Sequence, residues 1–201
     1  MQLTKHWAVA LDDYIIDLGC SADGSTLAAA SAAGPVTVFE VADGQVRHEL
    51  PADEDGTNVL AVHPTQNLIA TGGQDGAVKF WDTVAGQQTA SVKLGGNWID
   101  HLTWSPDGSK LAAAAGRKLE LFNPDGSPLH TFSPAPKTIS ALAWQPAGGC
   151  LAVAYFGGVI MWDADDFMAQ NEFAYANGIH TLAWSADNRW LVSGNQDPSV
   201  H

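Results

Sequence analysis

Short apolar runs separated by turn residues dominate the stretch Thr57–Gly96. An apolar run over Val59–Val62 ends at the turn residues His63-Pro64. Asp75-Gly76 is a hairpin signal between a second apolar run and a third run that ends at Trp81-Asp82. The stretch therefore predicts a small antiparallel meander, and such a sheet cannot bury both of its faces without neighbours.

The same unit recurs along the chain with a period of about 40 residues. In each copy, the turn residue that follows the first strand serves as a marker, and successive markers are 42, 42, 40 and 40 residues apart. The markers are Ser21, His63, Ser105, Gln145 and Ser185. A leucine stands three residues before each marker, at Leu18, Leu60, Leu102, Leu142 and Leu182. A fixed leucine in five copies is typical of a repeat protein and is not explained by an ordinary sandwich.

These copies resemble the WD40 family from about Tyr14 onward. The matching motifs are Ser-Pro-Asp-Gly at 105–108, the Asp75-Gly76 turn, and the Trp-Asp pairs at 81–82 and 162–163. The resemblance implies an all-β fold, a propeller of four-stranded blades around a central channel. Four complete blades are expected, at about residues 14–53, 54–96, 97–136 and 137–176, with a partial fifth blade at 177–201.

Residues 1–13 precede the first copy, and Thr4–Ala10 resemble the outer strand that WD40 chains donate from the N-terminus to the last blade. Such a strand removes an open sheet edge. The fifth copy reaches only the middle of its third strand at His201. Two interpretations stay open. Either the chain is a truncated part of a seven-bladed propeller, which predicts an exposed apolar flank, or it closes as a small propeller with the N-terminal strand completing the fifth blade.

WD40 blades often contain a buried hydrogen-bond network of Asp, Ser or Thr, Trp, and a His from a Gly-His pair. No copy here has the Gly-His pair, so the resemblance implies an incomplete network and a greater dependence on apolar packing. The positions that match the network are Thr71, Asp75 and Trp81 in the second copy, Trp162 in the fourth, and Ser193 and Asp197 in the fifth.

The composition limits the classes of partner that the protein can bind. The 201 residues include 22 Asp and Glu against nine Lys and Arg, for a net charge of -13, so phosphate backbones and anionic membrane surfaces are repelled on average. We therefore expect no nucleic-acid partner and no membrane partner. Cys20 and Cys150 stand alone, without metal-ligand spacing, and are expected to be buried and reduced. With no targeting segment and no long apolar run, the expected location is the cytoplasm.

Catalytic motifs do not emerge from the sequence, and neither an enzyme nor a cofactor is expected. The acidic cluster Asp53-Glu54-Asp55 is interpreted as a solvated loop. The glycine pairs fall in hairpins, with no helix after them to bind phosphate. A zinc site assembled across blades from His101 and His180 remains conceivable.

The favoured function is a non-catalytic scaffold that binds a protein or peptide on the loop face of the propeller. In the family's geometry, the loops before the first strand and between the second and third strands meet on one face, the usual partner face. Positions that differ between copies on this face can encode a partner, and aromatic residues there are frequent hot spots. The candidate contact residues are Tyr14, Asn58, Trp98, Asp100 and His180. For Tyr14 and Trp98, packing under a neighbouring loop is the alternative.

Two other functions stay open. One is a propeller enzyme or metal-binding protein with its site at the channel mouth, which would need carboxylates and imidazoles to converge. Its candidate residues are Asp17, Asp100, His101 and His180. The other is a truncated fragment without an independent function.

Overall fold

The computed structural model describes residues 5–53 and 55–201. This part of the chain forms eighteen β-strands and no helix. In the same residues there is accordingly no helix with the length and apolar character needed to span a membrane.

The strands form four sheets of four strands and a fifth sheet of two. The first sheet contains β1 (Ile15–Cys20), β2 (Thr26–Ser31), β3 (Val36–Glu40) and β4 (Val46–Leu50). The second contains β5 (Thr57–Val62), β6 (Leu68–Gly73), β7 (Ala77–Asp82) and β8 (Gln87–Lys93). The third contains β9 (His101–Trp104), β10 (Leu111–Ala115), β11 (Lys118–Phe122) and β12 (Pro128–Thr131). The fourth contains β13 (Ile139–Trp144), β14 (Cys150–Tyr155), β15 (Gly158–Asp163) and β16 (Ala169–Ala174), and the fifth contains β17 (Ile179–Trp184) and β18 (Leu191–Asn195).

Each sheet is an antiparallel meander in chain order and lies within the range expected for one blade. The first strands of successive sheets are neighbours: β1 lies beside β5, β5 beside β9, β9 beside β13, and β13 beside β17. First strands that are adjacent in this way lie on the inside of a curved array of blades. The predicted all-β architecture of four complete four-stranded blades and a partial fifth is confirmed.

The apolar core lies between the blades, where a face of small residues meets a face of large ones. At the first interface, Ala28 and Ala30 of β2 lie in one buried cluster with Leu60, Ile69 and Trp81 of the second blade. The same arrangement joins the third blade to the fourth, through buried alanines of β10 and the large side chains of β13 and β14. The alanine-rich second strands of the sequence therefore let neighbouring blades approach closely.

Tryptophan at the end of the first strand ties a blade to the one before it. Trp104 Nε1 donates to Ala61 O at 3.2 Å, and Trp144 Nε1 donates to Thr103 O at 3.2 Å. Trp184 repeats the contact one blade further along, at 3.1 Å from Ala143 O. A buried indole that finds an acceptor satisfies its polar atom while it contributes a large apolar area.

His63 makes a second kind of link between blades. Its Nδ1 accepts hydrogen bonds from the backbone N–H groups of Thr65 and Gln66, at 3.1 and 3.0 Å. Its Nε2 therefore carries the proton, which it donates to Gly108 O in the third blade at 2.9 Å. Gly108 has a φ of +74°, and a Cβ there would lie 2.2 Å from the His63 ring. The turn thus needs glycine for its conformation and also for the space.

Residues 5–10 of the segment that resembles the closing strand form no β-strand here, and Thr4 lies outside the described residues. A strand needs a hydrogen-bonded partner along its edge, and here the segment is held by side chains instead. His6 Nε2 lies 2.6 Å from Ala42 O, and Trp7 Nε1 donates to Val41 O at 2.7 Å. His48, 42 residues after His6, makes the corresponding contact from the fourth strand of the first blade, 2.9 Å from the carbonyl oxygen of residue 84. Residues 6 and 7 therefore take the place of a fourth strand beside the first blade.

Both ends of the array present apolar surface. Leu18 is 59% exposed, whereas its counterparts Leu60 and Leu102 are 7% and 8% exposed. At the other end, Trp190 is 63% exposed and Val192 is 40% exposed. Trp7 packs against Phe39 and covers part of the outer face of the first blade. The expectation that both cysteines are buried is correct for Cys150 and wrong for Cys20, which is exposed at the end of β1.

Candidate protein-binding face

One end of the blades gathers the loops before each first strand and the turns between second and third strands. The backbone joins the two kinds of loop, since Gln74 N donates to Gly56 O at 3.0 Å and Gln196 N donates to Gly178 O at 2.8 Å. Between the second and third blades, the close approach of Gly76 to the loop at Gly95 leaves no room for a side chain there. These contacts hold the loops of this face, here called the loop face, against the ends of the sheets.

A shallow depression of about 290 Å³ lies on this face. It is lined by Gly96, Asn97, Trp98, Asp100 and Gly116. The Trp98 side chain is 53% exposed, so it is not packed under a neighbouring loop as one alternative held.

Asp100 contributes a carboxylate to the depression. Its Oδ1 accepts a hydrogen bond from Asn58 Nδ2 of the neighbouring blade at 3.4 Å. Desolvation by the neighbouring atoms raises the pKa of Asp100, and this effect outweighs the opposing influence of His101 and Asn58. The exposed carboxylate has only a long bond from Asn58, so it can accept hydrogen bonds from a partner.

The structure brings together three of the five candidate contact residues, Asn58, Trp98 and Asp100. Tyr14 is 82% exposed at the edge of the first blade, where its carbonyl oxygen accepts a hydrogen bond from Ala32 N. His180 is exposed in β17 of the fifth blade. Neither side chain lines the depression.

The expected polar network of the second blade is only partly present. Trp81 Nε1 donates to Thr71 Oγ1 at 2.9 Å. Asp75 instead forms an ion pair with Lys79 at 2.7 Å, and its backbone N–H donates to Asp53 Oδ2 at 3.2 Å. In this blade, which lacks the family's histidine, the Asp75 carboxylate is paired with Lys79.

In the fourth and fifth copies, the matching residues act separately. Trp162 packs against Phe132, with 4.7 Å between ring centroids. Asp197 accepts hydrogen bonds from Tyr175 Oη at 2.6 Å and Asn177 Nδ2 at 2.8 Å, and from Ser199. These bonds, that of Ser199 first, lower the pKa of Asp197 to about 2. Ser193 contributes only backbone hydrogen bonds, which it exchanges with the backbone of His201.

The interpretation of Asp53 as part of a solvated loop is wrong. Asp53 is only 4% exposed, and its Oδ1 accepts a hydrogen bond from Asp55 N at 2.9 Å. Burial raises the pKa of Asp53. Burial acts in the same direction on Asp75, but the bonds from Lys79 and the backbone hold the pKa of Asp75 low. The signal for this burial was Gly73, because a Cβ there would come within 2.1 Å of Asp53 Oδ2.

Of the four channel-mouth candidates, Asp17 joins two blades. Asp17 accepts hydrogen bonds from Leu60 N at 3.0 Å and Leu18 N at 2.8 Å. His101 is half-buried, and desolvation lowers its pKa. Within residues 5–53 and 55–201, no three His, Cys, Asp or Glu side chains stand close enough to hold one metal ion. The expected alternative of a metal site at the mouth therefore gains no support.

Comparison with known proteins decides the family. A family model described as the nucleolar protein 10-like N-terminal domain, a β-propeller, matches residues 2–193. The chain belongs to this family. The resemblance to WD40 propellers is confirmed by the fold: a chain in the crystal structure of the mitotic checkpoint complex superimposes with a TM-score of 0.83 at 20% identity, covering 94% of this chain and 60% of that one.

Two curated relatives extend the comparison of this nucleolar protein 10-like domain. The ribosome biogenesis protein ERB1 of Chaetomium thermophilum is 37% identical over 91 residues, which are 44% of this chain and 10% of ERB1. The target of rapamycin complex subunit wat1 of Schizosaccharomyces pombe is 25% identical over 144 residues, which are 69% of this chain and 46% of wat1. The chain thus spans less than half the length of either relative.

The expected cytoplasmic location is wrong. The matched family is named for a nucleolar protein, and ERB1 is a ribosome biogenesis protein, so the comparisons point to the nucleolus. The sequence-based expectation rested on the lack of a targeting segment and a membrane span, and neither feature separates nucleolar from cytoplasmic proteins.

Proposed function

We propose that this nucleolar protein 10-like domain is a non-catalytic module that binds a protein or peptide, and that the depression at Trp98 and Asp100 is part of its contact surface. The observation that carries the proposal is a half-exposed indole beside an exposed carboxylate, both lining one depression on the face where the blades' loops meet. ERB1 acts in ribosome biogenesis and wat1 is a subunit of a complex, which supports a role within assemblies.

The energetic argument rests on what the two side chains gain from a partner. An exposed tryptophan buries a large apolar area when it is covered, and tryptophans dominate binding hot spots. Asp100 has one weak protein donor, Asn58, and so retains capacity for a donor from the partner. Together they suit a segment that presents an apolar group beside a hydrogen-bond donor.

The test is binding by the wild type and by two variants, Trp98→Ala and Asp100→Asn. In pull-downs from nucleolar extract, we expect Trp98→Ala to lose most of the partner recovered by the wild type, and Asp100→Asn to lose part of it. Trp190→Ala is the matched control, because Trp190 is also an exposed tryptophan but does not line the depression. Equal recovery by Trp98→Ala and wild type would remove the depression from the contact surface.

We also propose that the partner is not RNA, although relatives act in ribosome biogenesis. The chain carries a net charge of -13, and its nine basic residues would have to outweigh 22 acidic ones to neutralise phosphates. Filter binding of the purified protein to structured RNA should show no saturable complex at about 150 mM salt. A saturable complex that weakens steeply with added salt would overturn this part of the proposal.

A further inference from the structure

The segment that carries Trp98 and Asp100 is anchored by the residue between them. Ile99 is fully buried, whereas Trp98 and Asp100 on either side of it are exposed. The Ile99 N–H donates to Gly73 O of β6 at 3.0 Å, and the Asp100 N–H donates to Ala114 O of β10 at 3.1 Å. The indole and the carboxylate are thus presented to solvent from a backbone that is held by the sheets of two neighbouring blades.

Asp100 is not paired with a basic side chain of the described chain. The ion pairs formed within residues 5–53 and 55–201 do not include it. Two basic residues lie at the turn between β10 and β11, which also lines the depression, but both are engaged elsewhere. Arg117 Nε donates to Ala135 O at 2.6 Å, and Lys118 Nζ donates to Leu94 O at 2.6 Å. The carboxylate is therefore free to pair with a cation that a partner brings.

An exposed indole beside an unpaired carboxylate suits an arginine side chain. The planar guanidinium stacks on an aromatic face and can donate N–H groups to a carboxylate at the same time. Lysine carries a compact and strongly hydrated charge, which has no planar face to lay on the indole. The net charge of -13 also favours the approach of a basic partner over an acidic one. Charge and shape therefore point to the same kind of side chain.

We infer that the depression receives an arginine side chain of the partner, with the guanidinium over the Trp98 indole and paired with Asp100. This inference rests on the function proposed above and names the chemistry of its partner. The volume of about 290 Å³ is near the lower limit of about 300 Å³ for small-molecule sites, so the depression takes one side chain and not a folded element. It lies within the array, because Asn58 of the second blade bonds to Asp100 and Gly116 of the third blade lines it.

The probe is a library of random heptapeptides displayed on phage, which is depleted on the Trp98→Ala variant and then selected on the wild-type protein. We expect the enriched peptides to share an arginine. A synthetic peptide of the enriched sequence should bind the wild type saturably in calorimetry. Its counterpart with citrulline in place of arginine keeps the shape and loses the charge, so it should bind at least about tenfold more weakly.

Two variants of the protein separate a specific ion pair from general charge attraction. Asp100→Asn should weaken the arginine peptide several-fold and leave the citrulline peptide unchanged. Asp125→Asn is the matched control and should bind both peptides as the wild type does. Asp125 is also an exposed carboxylate of the third blade, and its loss changes the net charge equally, but it does not line the depression.

The outcomes distinguish this inference from the function on which it rests. Equal binding of the arginine and citrulline peptides, or enriched peptides that share lysine or only apolar residues, would overturn the inference and leave the contact surface in place. Equal weakening by Asp100→Asn and Asp125→Asn would also overturn it. A library in which no peptide is enriched after the depletion on Trp98→Ala would count against the contact surface itself, and so against both proposals.

Discussion

At the scale of single residues, His63 shows how one substitution in a repeat creates a contact between blades. The other markers are Ser or Gln, which are shorter or unbranched side chains. His63 spans from its own turn to Gly108 O and leaves only 1% of its surface exposed. Its ring also meets Trp104 edge-on, with 4.7 Å between centroids. The imidazole therefore adds a polar link between the second and third blades.

Replacing Gly108 with alanine should destabilise the protein more than the same change at Gly24. Both glycines occupy the same turn position at φ values of +74° and +70°, so both variants carry about 1–2 kcal/mol of backbone strain. Only at Gly108 does the new Cβ collide with His63, whereas nothing lies within 4 Å at Gly24. Urea unfolding should show a further loss of about 2 kcal/mol for Gly108→Ala. Equal losses for the two variants would contradict the proposed contact.

Acid should weaken the protein through His63. Burial lowers the pKa of His63 below its usual 6.5, so the unfolded chain binds a proton there more readily than the native protein. The free energy of unfolding should therefore fall as pH drops from about 7 to 5, and His63→Gln should make the slope shallower. Some slope remains from His101, whose pKa burial also lowers. Parallel curves for wild type and His63→Gln would exclude the effect.

At the scale of elements, the blades follow from the sequence because each copy repeats its apolar register and its turn residues. The leucine before each marker and the hairpin at Asp75-Gly76 are local signals, and the strands form where these signals put them. Residues 5–10 form no strand, and local pattern alone does not decide this, because pairing along an edge depends on a distant partner. The burial of Asp53 is not predictable from local pattern for a related reason, because it depends on the space left by Gly73 in the next blade.

The candidate site was predictable only in part. Two loop positions that differ between copies pick out Trp98 and Asp100, and the structure places both in one depression. Tyr14 and His180 occupy corresponding positions in other copies, but register says nothing about the distance between side chains on different blades. Sequence position thus predicts the face on which a residue lies, whereas membership of a site depends on the curvature of the array.

The indole hydrogen bond between blades should contribute measurable stability. Trp144→Phe keeps an aromatic ring but removes the N–H that donates to Thr103 O, so it should cost about 1 kcal/mol or more in urea unfolding. Trp190→Phe serves as control, because Trp190 is 63% exposed, and it should change stability by less than about 0.5 kcal/mol. A loss at Trp144 no larger than at Trp190 would show that the bond is not stabilising.

At the scale of the whole molecule, the array of blades has two unlike end faces. The first blade presents Leu18 and Ile16, and the fifth presents Trp190 and Val192. Between complete blades, the corresponding face is covered by the next blade. The two end faces are therefore the places in the described structure where blade-packing side chains are exposed.

Leu18→Gln should be nearly neutral, and Leu60→Gln should be severe. The two leucines hold the same position in successive copies, but Leu18 is 59% exposed and Leu60 is 7% exposed. We expect a change under about 0.5 kcal/mol for Leu18→Gln and a loss of at least about 2 kcal/mol for Leu60→Gln, measured by urea unfolding. A large loss at Leu18 would mean that the first blade's outer face is covered in solution.

The indole bonds between blades all run in the same direction. Trp104, Trp144 and Trp184 each donate to a carbonyl of the blade that precedes them in the chain. During synthesis, the N-terminal part of a chain leaves the ribosome first and can fold first. The carbonyl group that accepts each indole hydrogen bond therefore belongs to a blade that is synthesised before the blade that carries the tryptophan.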